Sequence, residues 1–379
     1  MEFQAINIED LGARIELTHF TAGDVTEYHA ILHVAPQGEV FAGQLSRIQK
    51  AESHLMALPE LEGAKTIFKR YFLSDATNQV PVIKESDQCT ISYIQQPPLD
   101  GSKLAIWLYL QRGTDVSNIN GSTVVTHNGY RHIWTMGLMN TTVDTSYMQT
   151  WKTLFAYIDI LKLFDATLEA NCIRTWFFVR DVDTQYGGLV KSRRECFVEQ
   201  GLTPETHYIA STGIGGNPAD PKALVQLGSY AMTGFQPEQQ RYLYALSHLN
   251  RTIEYGVTFE RGTLMQYGDR NHVYISGTAS INNQGEVMHV GDIEKQTQRM
   301  WENVETLLGE GGMTYNDVMQ IIVYLRDGAD YEIVQRMFTE KFPNIPYVIT
   351  LAPVCRPTWL IEMECVAVKK TNNPDFRNF

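Results

Sequence analysis

The sequence predicts an α+β protein in which three tandem β-α-β-α-β units close on one another as an intramolecular pseudo-trimer. Three recurring signposts predict it: a strand rich in β-branched and aromatic residues, a helix beginning near a glutamine, and an apolar strand ending at an aspartate. The aspartate lies 31 residues after the glutamine in the first copy (Gln44, Asp75), 32 in the second (Gln149, Asp181) and 31 in the third (Gln296, Asp327). Equal spacing of helix starts and strand ends marks one unit repeated.

The last copy is the clearest. HVYISGTASI (272–281) reads as a strand ending at small residues. Gln296 and Thr297 open a helix whose apolar face is Met300, Val304, Leu307 and Leu308, and Gly311 and Gly312 stop it. VMQIIVYL (318–325) is a strand, Tyr331, Val334 and Phe338 lie on a second helix, and TWLIEMECVAV (358–368) closes the unit, with a further strand near 345–354. In the middle copy the matching pieces are HIWTMGL, a helix with Leu154, Ile158 and Leu161, IRTWFFV, a helix with Leu189 and Phe197, and ALVQLGSYAM. In the first they are AILHVA, a helix with Leu45, Ile48 and Leu55, KTIFKRYFLS and KLAIWLYL. The units are set at 1–118, 119–232 and 258–370, with a connector over 233–257 containing a short helix at 237–249, and a tail over 371–379. Such sheets leave a face and edges needing a partner, and three copies in one chain supply it to each other.

Composition excludes several classes. Hydrophobic residues make up 44% and charged residues 20%, as in ordinary globular proteins. A net charge of −12 with no lysine or arginine run disfavours nucleic acid and anionic membranes as partners. The opening residues have no signal-peptide core, and the five cysteines form no CxxC pair, so a cytoplasmic setting with reduced thiols is expected. The histidines show no ligand spacing, so neither a metal nor an organic cofactor is expected.

Taken together, SGTAS, the Gln-Thr helix, VYLRD and IEMECVAV make the third copy similar to the Rid (YjgF/UK114, endoribonuclease L-PSP-like) superfamily, whose units have a chorismate-mutase-like fold. More narrowly, RTW (174–176), STGIGG (211–216), FERG (259–262), SGTASI with Gly291-Asp292 downstream, and CRPTWLIEME (355–364) resemble chorismatases, which strip pyruvate from chorismate. Simple Rid deaminases carry a carboxylate-binding arginine shortly before the final strand. That place falls near Ile349 here, and YVITLAP has no arginine. A Rid-type imine or enamine deaminase is therefore the alternative reading, with a non-catalytic metabolite-binding protein as the third.

Aligned by count, Glu362 and Glu364 of the last closing strand match Gln226 and Gly228 in the middle copy and Ile106 and Leu108 in the first, so one cleft of three carries carboxylates. Positions 362 and 364 share a strand face, where mutual repulsion and burial keep one protonated, as a general acid requires. A solvated face of paired glutamates is the other reading. A chorismate-like substrate has two carboxylates, and the resemblance offers Arg174, Arg261 and Arg356 to hold them. A structural salt bridge would satisfy Arg174 equally well. Tyr208 and Thr212 would line the cleft, or pack ordinary turns. Gly262 and Cys355 resemble the 3-hydroxybenzoate-forming subtype, although Cys355 also reads as a packed thiol. The expected partner is a small carboxylate substrate, and the chain is expected as a monomer or low-order homo-oligomer.

Overall fold

In the computed structural model, which describes residues 1–85 and 89–379, the first copy folds as β1 (Glu2–Ile8), β2 (Ala13–Ala22), β3 (Val25–Val34), α1 (Phe41–Met56), β4 (Lys65–Leu73), the one-turn α2 (Ala76–Gln79), β5 (Thr90–Gln95) and β6 (Leu104–Arg112). The second runs β7 (Asp115–Ile119), β8 (Ser122–His127), β9 (Tyr130–Met139), α3 (Ser146–Lys162), α4 (Leu168–Asn171), β10 (Cys172–Val179), α5 (Val182–Glu199), β11 (Ala210–Gly215), β12 (Asn217–Pro218) and β13 (Val225–Thr233). The third runs β14 (Gln240–Leu243), β15 (Gly262–Gln266), β16 (Arg270–Ala279), α6 (Ile293–Glu310), β17 (Val318–Leu325), α7 (Tyr331–Lys341), β18 (Tyr347–Leu351) and β19 (Ile361–Lys370).

The three sheets have one strand order: β1-β2-β3-β6-β4-β5, β7-β8-β9-β13-β10-β11 and β14-β15-β16-β19-β17-β18, with β12 of the second copy added to the edge of the first sheet. In each the closing strand lies antiparallel between the third and fourth strands, and the fifth runs parallel to the fourth. Each copy therefore has two opening strands that the β-α-β-α-β reading left out. One of them corrects the connector. Gln240–Leu243 is a strand paired along β15, the counterpart of β1 and β7, and the rest of 237–249 holds a 3-10 turn rather than a helix. Pro237 starts that turn, and Arg241-Tyr242-Leu243 alternates as a strand does.

The recurring glutamine has a structural task. Buried in α1, α3 and α6, its Oε1 accepts the backbone N–H of the residue just before the closing strand: Lys103 at 2.7 Å, Leu224 at 2.7 Å and Leu360 at 2.9 Å. One side chain thus fixes where each last strand enters its sheet, and a buried N–H is satisfied.

Alternation along the closing strands divides the core. In β6, Leu104, Ile106, Leu108 and Leu110 pack under α1 with Leu45, Ile48 and Leu55, while Ala105, Trp107 and Tyr109 face the molecular centre. The inward faces of all three sheets meet there, with Trp134 stacked on Tyr230 at 4.1 Å and Phe68 edge-on to Trp107 at 4.7 Å. Pairing with the fourth strand also corrects the alignment of copies. The penultimate residues Phe72, Phe178 and Tyr324 face Ala105, Gln226 and Glu362. The first-copy counterpart of Glu362 is thus Ala105, not Ile106, and that of Glu364 is Trp107, not Leu108. A slip of one residue moves a strand's side chains to the opposite face.

Where copies meet, the fifth strand of one approaches the loop before the closing strand of the next. Gly215 N–H donates to Pro353 at 2.9 Å between the second and third copies, and Leu351 N–H donates to Pro97 at 2.8 Å between the third and first. Among the described residues no helix is long and apolar enough to cross a membrane.

Candidate active site

The junction of the second and third copies encloses a cavity walled by Glu362, Arg261, Arg356 and Cys355 of the third copy and by Tyr186, Arg193, Ser211 and Gly213 of the second. Phe259, Gly277, Ala279 and Trp359 complete much of the wall, leaving about 20 Å³ of open space. That is room for about one water molecule.

Glu362 projects inward from β19, between Tyr324 of β17 and Ala279 of β16, and is 4% exposed. Burial, followed by the nearby Glu364, pushes its carboxyl up to about 8, against an opposing pull from Arg261 and Arg174. A carboxyl in that range holds a proton at neutral pH and can deliver it. Gly277 makes room for it, since a Cβ at 277 would overlap Glu362 Oε1. No hydrogen bond to Glu362 is seen among the described residues. Arg261, 3% exposed, is braced by donating Nε and Nη2 to the Asn250 carbonyl at 3.2 and 3.1 Å. Arg356 stands on the exposed loop before β19. Burial, then Glu362, pushes the Cys355 thiol up to about 12, so it is uncharged.

Five residues that the sequence offered lie elsewhere. Glu364, 2% exposed, accepts from Arg174 at 2.8 Å, from Trp176 Nε1 at 2.8 Å and from Thr212, and Arg70 of the first copy reaches it at 3.5 Å. It is a satisfied ion pair at the centre, and Arg174 and Thr212 belong to it rather than to the cavity wall. Tyr208 packs in the core of the second copy against Phe197. Gly262 lies within the third sheet, paired with Ile275.

Sequence reasoning missed Arg193 and Tyr186. Both sit on α5 with Leu189, Cys196 and Phe197 at helical spacing, and Arg193 is 1% exposed with its guanidinium 5.7 Å from the Phe177 ring. An arginine on the apolar stripe of a helix was the available signal. The place expected of a deaminase arginine also moves. Ile349 of β18 pairs with Val323 and lines the junction of the third and first copies. At the Glu362 cavity the corresponding fifth-strand residue is Gly213, paired with Phe177.

The three junctions differ. Between the first and second copies, Gln226, the counterpart of Glu362, donates to Ser92 at 2.9 Å. Between the third and first, Glu16 and Asp100 line a separate cavity, so the expectation of carboxylates in one cleft alone does not hold. These acids come from β2 and from the loop before β6, which a comparison of closing strands does not reach.

The repeat, the sheet order and the sequence together define a member of the Rid (RutC/YjgF) superfamily, and the chain belongs to it. The endoribonuclease L-PSP family matches residues 264–369. Over 100 residues the chain is 34% identical to the 3-aminoacrylate deaminase RutC of Acinetobacter baylyi, covering 26% of this chain and 79% of that protein. It is 34% identical over 103 residues to a RutC family protein of Pyrococcus abyssi, covering 26% of this chain and 80% of that one. Across copies the fold is similar to a crystal structure of chorismatase, with a TM-score of 0.63 and 17% identity, covering 82% of this chain and 96% of that one.

Proposed function

We propose that the protein is a chorismatase-like enzyme that removes pyruvate from chorismate or a related enol-pyruvyl dicarboxylate. The observation that carries this reading is a buried carboxyl raised to about 8 in a cavity that also holds Arg193, Arg261 and Arg356. Glu362 gives its proton to the enol-ether methylene carbon, and the double-bond electrons form the new C–H bond. Water adds to the resulting oxocarbenium carbon and returns a proton to Glu362. The hemiketal hydroxyl then gives up its proton to become the ketone of pyruvate as the bond to the ring oxygen breaks, and that oxygen takes up the proton and leaves as the hydroxyl of the ring product. The arginines hold the two substrate carboxylates and set the geometry of protonation. Admission of a substrate of this size requires the capping segments around Val257 and Phe259 and around Cys355–Trp359 to part, because the closed cavity is small.

The likeness of part of the chain to a deaminase supports the second reading, an imine or enamine deaminase. The junction equivalent of the carboxylate-binding arginine is Gly213, which weighs against it. Incubation with chorismate and with 3-aminoacrylate separates the two. The proposal expects pyruvate without ammonia from chorismate, and no acceleration of ammonia release from aminoacrylate; the opposite pattern would replace it.

A further inference from the structure

The junction of the third and first copies holds a cavity of about 540 Å³, in the place that the Glu362 cavity occupies one junction earlier. The equivalence rests on the backbone. Pro97 accepts the Leu351 N–H as Pro353 accepts that of Gly215, and Asp100 and Arg356 each lie three residues beyond the proline. The helix that supplies Tyr186 and Arg193 at one junction is matched by α7, which supplies Tyr331 and Gln335 at the other. What differs is the sign of the charge.

Here Asp100 stands where the other site has an arginine, and Glu16 projects from β2. His33 lies between them, with Nδ1 3.7 Å from Asp100 Oδ2 and Nε2 3.8 Å from Glu16 Oε2. Its Nε2 is shut from solvent and has no hydrogen-bond partner. Glu16 is held in place by the Tyr347 N–H at 3.0 Å and by Arg14 at 2.7 Å. Counting Glu9, which also lines the cavity, three carboxylates face two cations, Arg14 and His33. Tyr331, Tyr347 and Phe342 add an aromatic surface to the lining.

We propose that this cavity is a second ligand site, which binds a small aromatic primary amine with its ammonium against Asp100 and Glu16 and its ring on the tyrosine wall. The inference does not depend on the reaction assigned to Glu362. Charge complementarity favours a cation here, whereas the neighbouring cavity is lined by Arg193, Arg261 and Arg356. His33 is the present counter-ion. Burial alone would lower its pKa, but Asp100 and Glu16 outweigh that and push it up to about 9. Arrival of an ammonium displaces the imidazolium proton, so binding tightens as pH rises from 6.5 to 8.5.

Titration calorimetry with tyramine, and with 3-(4-hydroxyphenyl)propionate as an anion of similar size, tests the site on the full chain. Expected are one tyramine per chain, several-fold tighter at pH 8.5 than at pH 6.5, and at least tenfold weaker in Asp100→Asn. Glu362→Gln should leave this binding unchanged, which separates the two cavities. If Asp100→Asn does not fold, Tyr331→Ala in the aromatic lining is expected to weaken binding instead. Absence of tyramine binding, tighter binding of the propionate, or affinity unaffected by these cavity substitutions overturns the proposal.

Discussion

Glu362 and Glu364 stand two residues apart on one strand face, and their surroundings assign them opposite tasks. Glu364 meets Arg174, Trp176 and Thr212, so its charge is compensated where it is buried. Removing one partner of such a pair leaves the other charge exposed to a low dielectric, at about 3–5 kcal/mol. Urea unfolding of Glu364→Gln should show a loss of that order. Glu362 behaves differently, because its folded pKa lies above its ordinary value of 4.5. Its protonated form favours the fold, so this contribution is full below about pH 4.5 and is lost as pH rises through about 8. The stability of the parent protein should therefore fall relative to Glu362→Gln between pH 5 and pH 8, as thermal melts across that range would show. The sequence made Arg261, Arg356 and Cys355 visible because they sit in contiguous motifs. Arg193 was hidden in a helix, where one charged residue on an apolar stripe is a faint sign until the neighbouring copy supplies its other wall.

At the scale of elements, the pieces with strong periodicity were readable and the short or shared ones were not. The long helices and the apolar fourth strands declared themselves. The four residues of β14 carry too little alternation to stand out, and their strand character comes from pairing with β15. Counting residues between motifs put Ile106 opposite Glu362, whereas the ladder puts Ala105 there, because the loop before β6 is one residue shorter than that before β19. Element geometry also yields a test. Gly277 in β16 is the surface against which Glu362 rests, and its backbone adopts no conformation reserved for glycine. Gly277→Ala should displace the carboxyl by about the width of a methyl group and lower pyruvate release about 100-fold, with a smaller effect on the melting temperature.

The whole molecule is held by contacts that no single copy could make. Glu364 of the third copy joins Arg174 of the second and Arg70 of the first near the meeting point of the three sheets. A second clasp joins the outer copies: Glu27 of β3 accepts from Arg270 at 2.7 Å, lies 2.9 Å from His272 and accepts from Tyr109 at 2.7 Å. Arg270→Ala would strand Glu27 in the centre and should cost about 3–5 kcal/mol, measured by denaturant unfolding. The ring itself was legible from spacing alone. The use of each junction was not, since a site built from two copies depends on pairs of residues far apart in the chain. The three junctions carry different side chains: a Gln226–Ser92 bond in one, a raised carboxyl with arginines in the next, and an acid-flanked histidine in the last.

Pyruvate release from chorismate, followed from pH 6 to pH 9 in the parent protein and in Glu362→Gln, bears most directly on the chemistry assigned to the second junction. The account predicts activity that declines above about pH 8 as Glu362 loses its proton, and a variant at least 100-fold slower with no such decline. No pyruvate at any pH, or a variant as fast as the parent, would contradict it.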